Sequence, residues 1–182
     1  MKQPSAVAFA GRMGTGKSSV SIALATNMGW KRASFGDFVR LIAAKRGLEP
    51  SRQVLQMIGA ELESQDAVAF CKDVLESAGW HSGESIVVDG IRHVRVFEIL
   101  RDLLSPVPVI LVCLEAEEDL RKARLLERDG MEAGSCASAE AHSTEQDVIS
   151  RLPDLADLRI FTKDGSQQEI LQRIKDRLDP IR

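Results

Sequence analysis

The sequence predicts an α/β fold whose core is a five-stranded parallel sheet. Short apolar runs rich in Val and Ile alternate with longer segments of helical periodicity, the order that joins parallel strands through crossover helices. A length of 182 residues suits one domain with a proper core and would cramp a second. With 44% hydrophobic and 28% charged residues the chain lacks the polar bias of a disordered one, so residues 1–182 are read as a single domain.

Strands are expected at Ala6 to Ala10, in a short run ending near Phe35, and at Ser85 to Asp89, Val107 to Leu114 and Leu158 to Thr162. Lys17 to Met28 reads as the first helix and stops at Gly29, a residue suited to the left-handed position after a helix. Asp37 to Arg46 reads as the second, closed by Gly47. Between Pro50 and Ala78, apolar residues at Val54, Leu55, Ile58 and Leu62, then at Val68, Phe70, Val74 and Leu75, suggest two helices. That is more helix than one crossover needs, so a helical insertion at residues 37–80 is expected to project from the sheet edge. Further helices are expected at His93 to Leu104, at Glu117 to Arg128, shortly after Ser143, and at Ser166 to Leu178. Asp129 to His142, rich in Gly, Ala, Ser and Glu, reads as a loop, and residues 129–143 are the candidate lid.

Composition narrows the function. A net charge of -3 gives no basic surface for phosphate backbones or anionic lipid, so neither a nucleic acid nor a membrane is expected as partner. Only five apolar residues precede Gly11, too few for a signal-peptide core, and no run approaches the roughly 20 apolar residues of a membrane span. Cys71, Cys113 and Cys136 stand far apart without a CxxC pair, which reads as reduced, unliganded thiols in a cytoplasmic protein.

Gly11-Arg12-Met13-Gly14-Thr15-Gly16-Lys17-Ser18 fits GxxxxGK[ST] between a predicted strand and a predicted helix, the context that this motif requires. Its glycines let successive N–H groups point inward at phosphate oxygens, and the helix that follows adds a dipole favourable to anions. Lys17 would reach the β- and γ-phosphates of a nucleoside triphosphate, Ser18 would offer its hydroxyl to Mg²⁺, and Ser19 would bond the α-phosphate region. A dinucleotide loop is disfavoured, because the third glycine of GxGxxG would fall at Ser19.

Acids and arginines surround this loop in the pattern. Asp89 ends an apolar strand, where such proteins keep a carboxylate that orients Mg²⁺; a cap on the turn before Gly90 would also explain it. Asp37 and Arg40 sit at the start of the second helix. Asp37 is equally a good N-cap, whereas Arg40 opposes the helix dipole and is better explained by an anion nearby. Arg92, three residues past a strand end, is a second candidate for holding an acceptor. Arg124 and Arg128 share a helix face and would lean over the triphosphate; the favourable dipole at a helix C-terminus is the alternative account.

Together these residues resemble the adenylate-kinase-like group of P-loop kinases, which phosphorylate nucleoside monophosphates and related small metabolites. Gly11 to Ser18 matches that group's phosphate loop, Gly36-Asp37-x-x-Arg40 its acceptor-side junction, and Asp89-Gly90 followed by Arg92 its Asp-Gly-x-x-Arg segment. Arg124-x-x-x-Arg128 resembles the pair opening its lid, and Thr162 to Ser166 its last loop, where Asp164 and Gly165 would lie against the nucleotide base. The resemblance implies a three-layer P-loop NTPase fold, ATP with Mg²⁺, and a nucleotide-like small-molecule phosphate acceptor bound by Asp37, Arg40 and Arg92. Lys17, Arg92, Arg124, Arg128 and Asp37 would form the catalytic set. Arg92 arrives one residue early for the motif, no arginine occurs from Asp129 to Ser150, and a lone Cys136 excludes a zinc-bearing lid. A variant resemblance, to dephospho-coenzyme A kinase, implies a hydroxyl acceptor with Asp37 as base. A P-loop switch, or a nucleotide-binding module without an acceptor, is the competing class.

Overall fold

A computed structural model describes residues 3–129, 147–162 and 166–179. Five strands form one parallel sheet: β1 (Ala6–Ala10), β2 (Lys31–Ser34), β3 (Ile86–Ile91), β4 (Val109–Glu115) and β5 (Leu158–Phe161), in the order β2-β3-β1-β4-β5. β1 lies between β3 and β4, with Ala8 opposite both Val88 and Leu111. The chain leaves β1 toward β2 and β3 on one side and later reaches β4 and β5 on the other. The C-terminal end of β1 is therefore the switch point at which open parallel sheets bind ligands.

Both sheet faces are covered, as continuous apolar parallel strands require. On one face, Ala6, Ala8, Ala10, Val88 and Leu111 meet α2 (Phe35–Lys45), α3 (Arg52–Ser77) and α4 (Val94–Leu104). On the other, Val7, Phe9, Val87 and Val112 meet α1 (Lys17–Met28) and α7 (Gln167–Leu178). The period-two alternation along β1 puts small alanines toward the first face and larger side chains toward the second. α5 (Glu118–Asp129) follows β4; a π-helical turn at Asp147–Arg151 and the short α6 (Leu152–Leu155) precede β5. The candidate lid lies almost wholly outside the described residues, as do Cys136, Asp164 and Gly165. Among the described residues no helix is long and apolar enough to cross a membrane.

Three local departures from expectation have clear causes. α2 starts at Phe35 because the Ser34 hydroxyl accepts from Asp37 N at 3.2 Å; Ser34 is the cap, which frees Asp37 for other contacts. β3 continues to Ile91 through a bulge, since Phe9 pairs with Asp89 and Ala10 with Ile91, leaving Gly90 as the extra residue. The two helices expected between Pro50 and Ala78 run nearly end to end as α3, broken by Asp66 at φ -158° and ψ 94°. There the carboxylate Oδ1 accepts from Val68 N (3.0 Å) and Ala69 N (2.9 Å), capping the second half. That half is pinned to α2 by Phe70, whose ring stands edge-on to Phe35 with centroids 5.1 Å apart.

Asp66→Ala should remove this internal cap and cost about 1 kcal/mol of stability. A urea unfolding midpoint that does not move would show that the break in α3 needs no cap.

Candidate functional site

Residues 11–18 form a loop across the end of β1, and its shape is held from several sides. The Thr15 hydroxyl donates to Arg12 O at 2.8 Å, and Lys17 Nζ donates to Gly11 O (2.5 Å) and Arg12 O (2.7 Å). Arg121, a buried residue of α5, donates through Nε to Met13 O at 2.9 Å. The Thr162 hydroxyl, at the end of β5, lies 3.2 Å from Thr15 O and 3.0 Å from Glu115 O. Arg124 Nη1 reaches Gly14 O at 3.3 Å. Gly14 has φ +76°, and a Cβ there would stand 2.7 Å from Arg121 O, so this position tolerates only glycine.

The loop opens into one cavity of about 1150 Å³ that continues to the walls made by α2, α3 and the β3–α4 junction. Small-molecule sites usually span ~300–1,000 Å³, so this space lies just beyond the upper end of that range. Met13 to Ser19, Arg124, Arg40, Arg92 and Asp89 all line it. Gly11 and Arg12, at the start of the loop, do not line the cavity. Arg128 lies by its backbone in the last turn of α5, and its side chain falls outside the described part of the chain.

Asp37 also stands outside that cavity. It lines a separate hollow of about 200 Å³ with Arg32, Ser34, Phe38, Leu41, Ser77 and Ala78. Its Oδ2 accepts from Arg32 Nη1 at 2.9 Å and its Oδ1 from Arg40 Nη1 at 2.8 Å. Burial alone would raise its pKa. Hydrogen bonds from Arg32 and Ser34 and the charges of Arg32 and Arg40 outweigh that effect and hold the carboxyl below its usual range. A carboxylate so stabilised is a weak proton acceptor.

Sequence reasoning missed Arg32, the hub of this corner. Its guanidinium donates to Ser21 Oγ (2.9 Å), Asp37 Oδ2 and Asp89 Oδ2 (2.5 Å), and Ser21 Oγ donates in turn to Ser18 O at 2.9 Å. Asp89 is only 3% exposed, so this ion pair is the counter-charge that lets a carboxylate sit beside the phosphate loop. The usable signal was an excess of acid: Asp37 and Asp89 needed a cation, and Arg32 precedes both on a short strand.

Two further cavity residues were unpredicted. Glu63 of α3 holds His93 Nε2 at 3.1 Å, while His93 Nδ1 lies 3.8 Å from Asp147 Oδ2. These contacts tie the helical insertion to the start of α4, and no sequence pattern pairs residues so far apart. Cys71 and Cys113 are buried, and burial pushes their thiols up to about 12 and about 11, so both stay protonated.

The donor set fits Mg²⁺. Ser18 and Asp89 are hard oxygen ligands, and Mg²⁺ takes few protein ligands when phosphate oxygens and water complete its shell. Among the described residues there is no group of three or more His, Cys, Asp or Glu of the kind that would instead hold a transition metal.

Gly14→Ala should weaken nucleoside triphosphate binding by at least an order of magnitude, because the added methyl group displaces the loop against Arg121. Titration with a fluorescent triphosphate analogue checks this; unchanged affinity would mean that the loop's shape does not set binding.

The sequence and fold have known counterparts. A UPF0200 protein of Methanothrix thermoacetophila is 38% identical over 119 residues, covering 64% of this chain and 63% of that protein. A second, from Methanosarcina barkeri, is 34% identical over 126 residues, covering 67% and 65%. The chain thus spans less than two thirds of these relatives' length, and their names state no activity. Among solved structures, APS kinase of Mycobacterium tuberculosis in complex with AMPPNP and APS superposes with a TM-score of 0.63 at 19% identity, covering 98% of this chain and 99% of that one. Shikimate kinase of Acinetobacter baumannii in complex with shikimate gives 0.60 at 16% identity, covering 95% and 92%. At such identities the likeness shows the fold, which is that of P-loop kinases. The AAA domain family AAA_18 matches residues 7–146, from the first strand through the phosphate loop and past α5, and the chain belongs to that family.

Proposed function

We propose that this protein is an ATP-dependent phosphotransferase that moves the γ-phosphoryl group to a nucleotide-like small molecule. The observation that carries the reading is the continuity of the cavity: the phosphate loop and the arginine-bearing walls of α2 and β3–α4 face one space. A hydrolytic switch needs no such second compartment.

In this reading the triphosphate lies on the N–H groups of residues 13–18. Lys17 exchanges its bonds to Gly11 O and Arg12 O for β- and γ-phosphate oxygens. Ser18 and Asp89 would hold Mg²⁺, which when bound neutralises charge on the β- and γ-phosphates. Arg124, already at Gly14 O, lies over the donor phosphates with Arg128 one turn on. Arg40 and Arg92 hold the acceptor, and their guanidinium forks suit a phosphate. A phosphate acceptor is ionised at neutral pH and needs no base. The engagement of Asp37 by two arginines therefore favours phosphate over hydroxyl as the nucleophile, and removes Asp37 from the proposed catalytic set.

The related solved kinases accommodate different acceptors, shikimate among them, so acceptor class has to be measured. A coupled assay of ADP release across nucleoside monophosphates, deoxynucleotides and dephospho-coenzyme A should find phosphate-bearing acceptors that stimulate turnover. Arg40→Ala and Arg92→Ala should each raise the acceptor KM about 10- to 100-fold, the equivalent of one charge-assisted bond lost, and Lys17→Ala should abolish turnover. Basal hydrolysis that no acceptor accelerates, and that both arginine variants leave intact, would identify an NTPase instead.

A further inference from the structure

Arg52 lines the same cavity as the phosphate loop, Arg40 and Arg92, and this residue has no assigned part. It is the first residue of α3, where a cation works against the helix dipole; Ser51 caps the helix by accepting from Val54 N at 3.3 Å. The side chain turns away from the insertion toward the phosphate loop, with Nη2 2.8 Å from Met13 Sδ. Leu55 and Gln56, one turn further along α3, and Gly59, two turns further, line the same cavity. Arg52 thus stands where the helical insertion meets the phosphate loop.

Phosphoryl transfer spreads negative charge over three equatorial oxygens, and cations placed there lower the barrier. The sequence has no arginine between Asp129 and Ser150, so the stretch following α5 contributes none. Arg151, just beyond it, does not line the cavity; it pairs with Asp147 at 3.3 Å and its side chain is 66% exposed. Arg124 approaches the loop from the β4 side of β1, whereas α3 packs against α2, α4 and β2 on the other side. A guanidinium from each side would bracket the γ-phosphoryl group.

We propose that Arg52 is a catalytic residue of the phosphotransfer described above, supplying from the acceptor insertion the guanidinium that neutralises the transferring phosphoryl group. The proposal rests on that phosphotransfer reading. In the step, an acceptor phosphate oxygen forms a bond to the γ-phosphorus while the bond to the β–γ bridging oxygen breaks. The electron pair stays on that oxygen as ADP leaves, and no proton moves. Arg52 takes two phosphate oxygens through its planar fork.

Arg52→Ala should lower kcat about 10²- to 10³-fold while leaving the KM values for ATP and acceptor within about threefold. Arg52→Lys should recover little, since a point charge does not bridge two oxygens as the fork does. Titration with Mg²⁺–ADP and fluoroaluminate, which mimics the transferring group, should show the same loss of affinity in both variants, with ADP alone binding as in the wild type. A wild-type kcat in Arg52→Ala, a loss confined to acceptor KM, or unchanged fluoroaluminate affinity would each overturn the assignment. If Arg52→Ala loses its thermal transition, Arg52→Lys, which keeps the aliphatic stem, carries the test. A wild-type protein that no acceptor stimulates would overturn the phosphotransfer reading; the fluoroaluminate titration would still decide whether Arg52 reaches the γ-position.

Discussion

The site depends on where β1 is obliged to stop. β1 is buried on both faces and bonded to a parallel strand on each side, so its only exit is over the C-terminal edge of the sheet. There β4 continues to Glu115, beyond the last β1 pair at Ala10 and Cys113. The chain must pass so close that a Cβ at Gly11 would stand 2.2 Å from Leu114 O. That close passage fixes where the loop starts, and successive N–H groups of such a glycine-rich loop can converge on an anion. The carbonyls left over are taken by Lys17, Arg121 and Arg124. An anion-binding nest thus follows from backbone geometry before any side chain specifies a ligand.

Electrostatics then limits what can stand beside such a nest. Two carboxylates, Asp37 and Asp89, near the place of a triphosphate would repel it and each other without a counter-charge. Arg32 meets both, at 2.9 Å and 2.5 Å, and its third contact, to Ser21, fixes it to the helix that follows the loop. Removing one partner of a buried pair leaves an uncompensated charge, so this corner is rigid where the donor phosphates would lie. Asp89 enters that ion pair through Oδ2. Asp37, with an arginine on each oxygen, is occupied in holding Arg32 and Arg40 in place.

Most of the sheet was legible in the sequence because parallel strands buried on both faces must be nearly continuous apolar runs, and Val7 to Ala10, Ile86 to Val88 and Val109 to Leu114 are such runs. α1 was legible to the residue because Gly29 sits at φ +66° where the helix ends. Errors fell where a side chain chose among partners. Ser34 rather than Asp37 caps α2, since Arg32 and Arg40 compete successfully for the Asp37 carboxylate. The phosphate loop announces itself by spacing alone. Arg32, Arg52, Glu63 and His93 do not, because their relation to the site exists only after β2, α3 and α4 are brought together.

Arg40 and Arg52 illustrate one rule with two readings. Each is a cation near the start of a helix, where the dipole disfavours it, although with α2 starting at Phe35 Arg40 falls in the second turn and Arg52 in the first. That reasoning singled out Arg40 in the sequence and applies more strongly to Arg52, the first residue of α3. In the folded chain the two side chains have different company. Arg40 is more than half exposed and rests on Asp37, as suits a group that greets an incoming acceptor. Arg52 reaches inward to Met13, a residue of the loop itself. One insertion therefore carries both a guanidinium for the acceptor and one that touches the donor loop. In the proposed phosphotransfer such an insertion would do more than wall off a second substrate: it would bring part of the positive charge to the donor site, linking acceptor positioning to charge neutralisation at the transferred group.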